Sequence, residues 1–280
     1  MSDAALDTVA PAPTPARRAA PRLPLALAGR LARIALPILS VLGLWYLAIL
    51  FSGLPAFVIP RPERVLETLV ADRDFIALHT LSTLQVALLG LVLANLAGIG
   101  LAILFDSIPL ARQALMPAAI TLRNVPYVAL VSVLMLAVGD TVWTKATVVA
   151  LAGFFPVLVN TMVGLRAADD VLLDRMRVLD ATWWETFSAV RLPFAVPHIV
   201  AAQQIAGTSA VIVAISAEWM ISSEGLGYVI NRAMQTYRGD QVYAVALLAT
   251  ALSLGVYGLV QLVGSRLDWR RAPPARGDAP

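Results

Sequence analysis

Long uncharged runs decide what this chain can become. Residues 34–54 (IALPILSVLGLWYLAILFSGL) hold no charge, and neither do 75–105, 146–165, 192–217 and 241–265. A further run, 113–139, is broken only by Arg123. About 20 apolar residues make a helix long enough to cross the hydrocarbon of a bilayer. The runs predict six spans, the second at roughly 80–104 with a lead-in. Backbone groups in lipid must bond within their own segment, and no run alternates like a barrel strand, so the spans are helices. The charged fraction, 14%, is far below the roughly 25% of soluble domains. The expected fold class is an all-α membrane protein with about six transmembrane helices.

Charge placement gives an orientation. With an inside N-terminus and six crossings, basic residues gather inside: Arg17, Arg18, Arg22, Arg30 and Arg33; Arg112; Arg166, Arg175, Arg177 and Arg191; Arg266, Arg270, Arg271 and Arg276. Outside segments keep only Arg61, Arg64, Arg73, Lys145, Arg232 and Arg238. This bias is the positive-inside rule, which puts both termini and 166–191 in the cytoplasm. It also accounts for the pI of 9.6 without nucleic acid, for which no motif is present. Residues 1–30, basic and Pro/Ala-rich, read as a disordered cytoplasmic arm rather than a signal peptide. Residues 31–267 read as the transmembrane domain and 268–280 as a disordered tail. The absence of cysteine excludes disulfides and thiolate sites. The two histidines, His79 and His198, sit at span ends, where structural roles are usual, and no metal site or cofactor is expected.

Between the fourth and fifth spans, 174–193 (DRMRVLDATWWETFSAVRLP) interrupts the apolar sequence with charge and two tryptophans. Val171, Leu172, Met176 and Leu179 recur at helical spacing, and that helix is expected to stop near Asp180. Thr182 followed by Glu185 makes a capping box that starts a second short helix, and Pro193 suits the entry to the next span. A helix–turn–helix elbow of this length exceeds what joining two spans requires. It reads either as a surface loop anchored by its indoles or as a docking device.

The segment resembles the cytoplasmic loop of binding-protein-dependent ABC importer permeases: Glu-Ala-Ala, three residues, Gly, nine residues, Ile-x-Leu-Pro. The frame falls on Asp174-Arg175-Met176, then Asp180, then Val190-Arg191-Leu192-Pro193. The triplet is represented only by Asp174, and Asp180 stands in place of glycine. Aspartate is an occasional substitute where a helix ends in the left-handed conformation, and its charge either loosens docking there or calls for a basic contact on the ATPase. The stretches 121–130 (TLRNVPYVAL), 154–165 (FFPVLVNTMVGL) and 217–230 (AEWMISSEGLGYVI) are similar to the permease subgroup for sulfonates, taurine, nitrate and vitamin precursors. The resemblance implies a type I ABC importer permease of the bacterial inner membrane, working as a homodimer with an ATPase subunit dimer and an extracytoplasmic substrate-binding protein. It makes 166–197 the coupling loop, with Asp174, Asp180, Ala181, Thr182, Trp183, Trp184, Glu185, Leu192 and Pro193 meeting the ATPase.

Polar residues within spans are candidates for the translocation path, because ionisable groups at membrane depth are costly and face a cavity or a partner. Arg123 and Asn124 either line the path and attract an anion or fix a helix broken at Pro126. Asn160, Gln203 and Gln204, like Asn95, bond neighbouring helices or line the pore. Glu218 ends the fifth uncharged run near the outer face, and Gly225 and Gly227 behind it suit a tight turn. No phosphate loop, carboxylate pair or nucleophile motif is present, so the chain is expected to be a transport subunit, not an enzyme, with ATP hydrolysis elsewhere. The alternatives are a secondary transporter driven by an ion gradient, for which intramembrane acids are scarce, and a membrane-embedded enzyme or scaffold.

Overall fold

The computed structural model describes residues 23–267, and side chains within them except at 23–32, 34, 128 and 221. Most of the expected arm and all of the expected tail lie outside the described residues; 23–30 are helical. The chain divides at Gly53–Leu54 into two units. The first is helix α1, Leu23–Ser52, with Pro37 inside it. Leu36, Leu39, Leu50 and Phe51 are exposed on it, as a lipid-facing helix requires.

The second unit holds ten helices among the described residues. They are α2 Pro62–Ala71, α3 Arg73–Ser107, α4 Pro109–Arg123, α5 Tyr127–Val138, α6 Val142–Leu165, α7 Asp170–Val178, α8 Trp183–Thr186, α9 Leu192–Ile221, α10 Leu226–Gln235 and α11 Gly239–Leu267. No strand occurs among the described residues. Five segments are long and apolar enough to cross a membrane: Ala35–Ser52, α3, α6, Trp183–Met220 and α11. The third expected span is instead two pieces, α4 and α5, parted at Asn124–Pro126. Pro126 lacks an N–H and disfavours the helical conformation at Val125, so the helix must stop before it.

The helices of this unit run alternately between two ends. One end carries the elbow, the last turn of α3 and the exit of α6. The other, the cap end, carries α2, the α5–α6 loop and α10. At the centre α3 packs along α6, and α6 along α9. Lipid supplies no hydrophobic drive between helices, so close van der Waals approach has to hold them. Gly90, Ala94, Gly98 and Ala102 repeat every fourth residue on α3 and are all buried. A Cβ added at Gly90 would lie 2.8 Å from the Ala146 carbonyl oxygen, and one at Gly98 2.8 Å from that of Phe154. From α6, Gly164 approaches α9 as closely, 2.8 Å from Cα of Ala195.

Gly98→Leu is expected to cost about 1–3 kcal/mol or more, because rigid backbone meets the new side chain. Gly100, with open space around its Cβ position, is the control: Gly100→Leu stays within about 0.5 kcal/mol. Thermal unfolding of both variants in mild detergent checks this, and equal losses would remove the seam from its central place.

Candidate functional site

The elbow is built by local chemistry. Asp169 caps α7, its carboxylate accepting from the Val171 N–H at 2.9 Å. Asp174 accepts from Arg177 at 2.7 Å on the exposed side. The helix closes with Asp180 at φ +51°; the Asp180 N–H reaches the Arg177 carbonyl at 3.1 Å and the Ala181 N–H reaches that of Met176 at 3.0 Å. This is the Schellman closure, with aspartate in the place glycine usually takes. One residue on, the Thr182 hydroxyl accepts from the Glu185 N–H at 3.3 Å, and Glu185 Oε2 accepts from the Thr182 N–H at 2.7 Å. That pair of bonds starts α8, which passes through a π-helical turn, Phe187–Arg191, into α9. Pro193 cannot donate to the turn before it, and widening that turn relieves its ring against the carbonyl four residues back.

The elbow shows its apolar side chains outward. Val178 is 84% exposed, Leu179 73%, Trp184 65% and Trp183 48%. Phe187 is buried beneath, with the Trp183 ring stacked on it at 5.0 Å. Asp180, Thr182 and Glu185 are exposed, Ala181 and Pro193 half-buried, and Leu192 exposed at the start of α9. Arg191 forms an ion pair with Asp106 at the end of α3, tying the elbow to the central helix.

The polar residues expected in the path separate into several environments. Arg123 is exposed at the α4–α5 break, its guanidinium 4.8 Å from the centre of the Phe155 ring, and Asn124 beside it donates to the Ile120 carbonyl at 3.0 Å. Gln203 and Asn95 exchange two amide hydrogen bonds, 3.0 and 2.5 Å, between α9 and α3. Asn160 turns back to the Pro156 carbonyl at 2.8 Å. Gln204 lines a cavity of about 290 Å³ between α9 and α11, with Tyr257 and Gln261 opposite.

Glu218 is fully buried among α3, α9 and α10. Its Oε2 accepts from the Thr83 hydroxyl at 2.7 Å and the Gly227 N–H at 3.1 Å, while Oε1 has no partner among the described residues. Thr83 in turn accepts from the Leu226 N–H at 2.8 Å, and His79 Nδ1 accepts from the Gly225 N–H at 3.1 Å. Gly225 has φ +92°, and a Cβ there would stand 2.1 Å from the Glu218 carboxyl carbon. Loop 222–225 is thus strapped onto α3 through groups that only glycine leaves room for.

Sequence reasoning singled out neither Thr83, Asp106 nor Asp140, and counted Lys145 only as an outside charge. Lys145 is 4% exposed and donates to Asp140 at 2.9 Å and to the Ser222 hydroxyl at 2.8 Å. Asp140 also accepts from the Ser223 N–H at 3.2 Å. The available signal was Lys145 sitting inside the greasy start of α6, five residues after an acid. Burial alone would raise the Asp140 carboxyl, but the hydrogen bonds from Lys145 and Ser223 and the Lys145 charge hold it below the usual carboxylate range. A depressed carboxylate contributes stability above its unfolded value, near pH 4, and loses it as pH falls through the folded one. The stability difference between the native chain and Asp140→Asn, followed by thermal unfolding, is expected to stay constant above about pH 5 and shrink toward pH 3.

The model of the binding-protein-dependent transport system inner membrane component family matches residues 94–269. The formylaminopyrimidine transport permease protein ThiX of Halalkalibacterium halodurans is 28% identical over 235 residues, covering 83% of this chain and 94% of its own. The nitrate import permease protein NrtB of Leptolyngbya laminosa is 28% identical over 186 residues, 66% of this chain and 67% of its own. The fold is also that of an inward-facing structure of the MetNI methionine ABC transporter, with a TM-score of 0.60 at 16% identity over 69% of this chain and 94% of that one. The chain therefore belongs to the binding-protein-dependent transport inner membrane components, as a multi-pass transport subunit of the ABC importer type.

Proposed function

We propose that this permease forms the membrane pathway for a small solute, a sulfonate, nitrate-like anion or vitamin precursor, and is driven by an ATPase dimer docked on its elbow. The observation that carries this reading is the elbow itself: two capped helices that hold Val178, Leu179 and Trp184 out of the bundle, where nothing among the described residues covers them. A patch of that kind, rimmed by charge, is what a partner groove takes up. The elbow end faces the cytoplasm, in keeping with Arg112, Arg166, Arg175, Arg177, Arg191 and Arg266 lying there. A second copy completes the pathway; the exposed Ile205, Ile212 and Trp219, seven residues apart on α9, support a helix partner. The binding protein delivers solute at the cap end, near 222–240. ATP closes the ATPase dimer, the elbow is carried with it, and Asp106–Arg191 passes the movement to α3.

The relatives named for nitrate and formylaminopyrimidine support a small polar solute. Arg123 supports an anion, since its charge stands exposed at a break in the backbone and meets an aromatic face rather than an acid. Asn124 shares that break, Gln204 lines an opening between α9 and α11, half-buried Asn160 bonds back to its own helix, and Gln203 and Glu218 set the packing between helices.

Two measurements test this. Leu179→Asp and Trp184→Asp are expected to leave thermal unfolding unchanged while stoichiometric co-purification of the ATPase and uptake are lost; retention of both would end the docking assignment. Arg123→Ala is expected to raise KM for an anionic solute about tenfold, roughly 1.4 kcal/mol, and unchanged uptake and selectivity would remove the anion role.

A further inference from the structure

We infer that the elbow end of the bundle carries a site for the phosphate headgroup of an anionic phospholipid, held by Arg112 and Arg166. The site is a cavity of about 350 Å³ where the end of α3, one side of α4 from Pro109 to Ile120 and the exit of α6 meet. Both arginines line it, and neither has an acidic partner among the described residues. Asp106, the acid in the same lining, is engaged by Arg191. Two positive charges therefore line one opening, and among the described residues the acid beside them is taken up by Arg191. Guanidinium forks match phosphate oxygens and bind them in pairs.

The rest of the lining selects a lipid over a free ion. Phe105, Met116 and Ile120 give the cavity an apolar floor that leads onto the outer surface of α4, where Leu115 and Ile120 are exposed. Inorganic phosphate would leave that floor unused, whereas a glycerol backbone and the upper part of an acyl chain would cover it. The depth is also right. Helix α3 has 35 residues, about 52 Å at 1.5 Å each, against a hydrocarbon core of about 30 Å. The uncharged run of that helix ends at Asp106, followed by Arg112, and the return of charge sets its last turn at the headgroup layer. Basic pockets between spans at that level take anionic headgroups. The inference needs the pocket at a membrane surface and does not depend on ATPase docking or on which side that surface faces.

The test is native mass spectrometry of the full chain in detergent, titrated with phosphatidylglycerol and, separately, with phosphatidylcholine. Saturable phosphatidylglycerol adducts are expected, undisturbed by millimolar inorganic phosphate. The pair variant Arg112→Gln, Arg166→Gln is expected to weaken them about 20- to 30-fold, at about fivefold per arginine, with phosphatidylcholine adducts unchanged. If the pair variant does not fold, Arg166→Gln at its exposed position is read against a fivefold loss. Equal phosphatidylglycerol binding by variant and native chain would overturn the site. Displacement by inorganic phosphate would assign it to a free anion. Loss of ATPase co-purification with lipid binding intact would assign the arginines to the ATPase instead.

Discussion

The close contact of α3 with α6 is the constraint to which the other parts of the helical unit are referred. In lipid the gain from packing comes from contact alone, so helices that touch backbone to backbone hold best. Gly90 and Gly98 bring α3 that close to α6, and Gly164 does the same between α6 and α9. This three-helix block is then fastened at both ends. The Asp106–Arg191 pair secures the elbow to it, and Thr83 with His79 secures the cap-end loop. A displacement at either end therefore acts on the block, not on a loop free to absorb it.

Charge inside the membrane-spanning part is handled in three physical ways. Lys145 is neutralised by an acid from the adjoining loop and given a hydroxyl besides. Glu218 is enclosed and, among the described residues, receives donors on one oxygen only. Arg123 keeps its charge at an opening, resting on an aromatic face. The first is an ordinary structural solution, and the second leaves an acceptor unmet, which a packed core tolerates only where surrounding contacts compensate. The third leaves a cation available to something outside the chain.

What could be read from the sequence divides by sequence separation. The spans were legible because hydrophobic runs are local, and so was the elbow, since Thr182 and Glu185 lie three residues apart and Asp180 sits where the helix ends. Pro126 signalled the break in the third span, though the run of 113–139 reads as one continuous helix by hydropathy. The start of α3 at Arg73 was not legible, because charged residues can continue a helix beyond the lipid. Nor was the cap-end network. Thr83 and Glu218 are 135 residues apart, and Asn95 and Gln203 are 108. A lone threonine on an apolar helix gives no sign of its partner. The two amides were expected to bond neighbouring helices, but not each other.

The π-helical turn at Phe187–Arg191 has a consequence of phase. Such a turn holds one residue more than the α-helical register, and each residue is worth about 100° of rotation around the axis. The compass bearing of Trp183 and Trp184, seen down α9, is therefore set by a single inserted residue, and the stacking of both indoles on Phe187 turns with it. A lineage could re-aim its elbow at a differently shaped partner by losing or regaining that residue, while every buried position of α9 kept its neighbours.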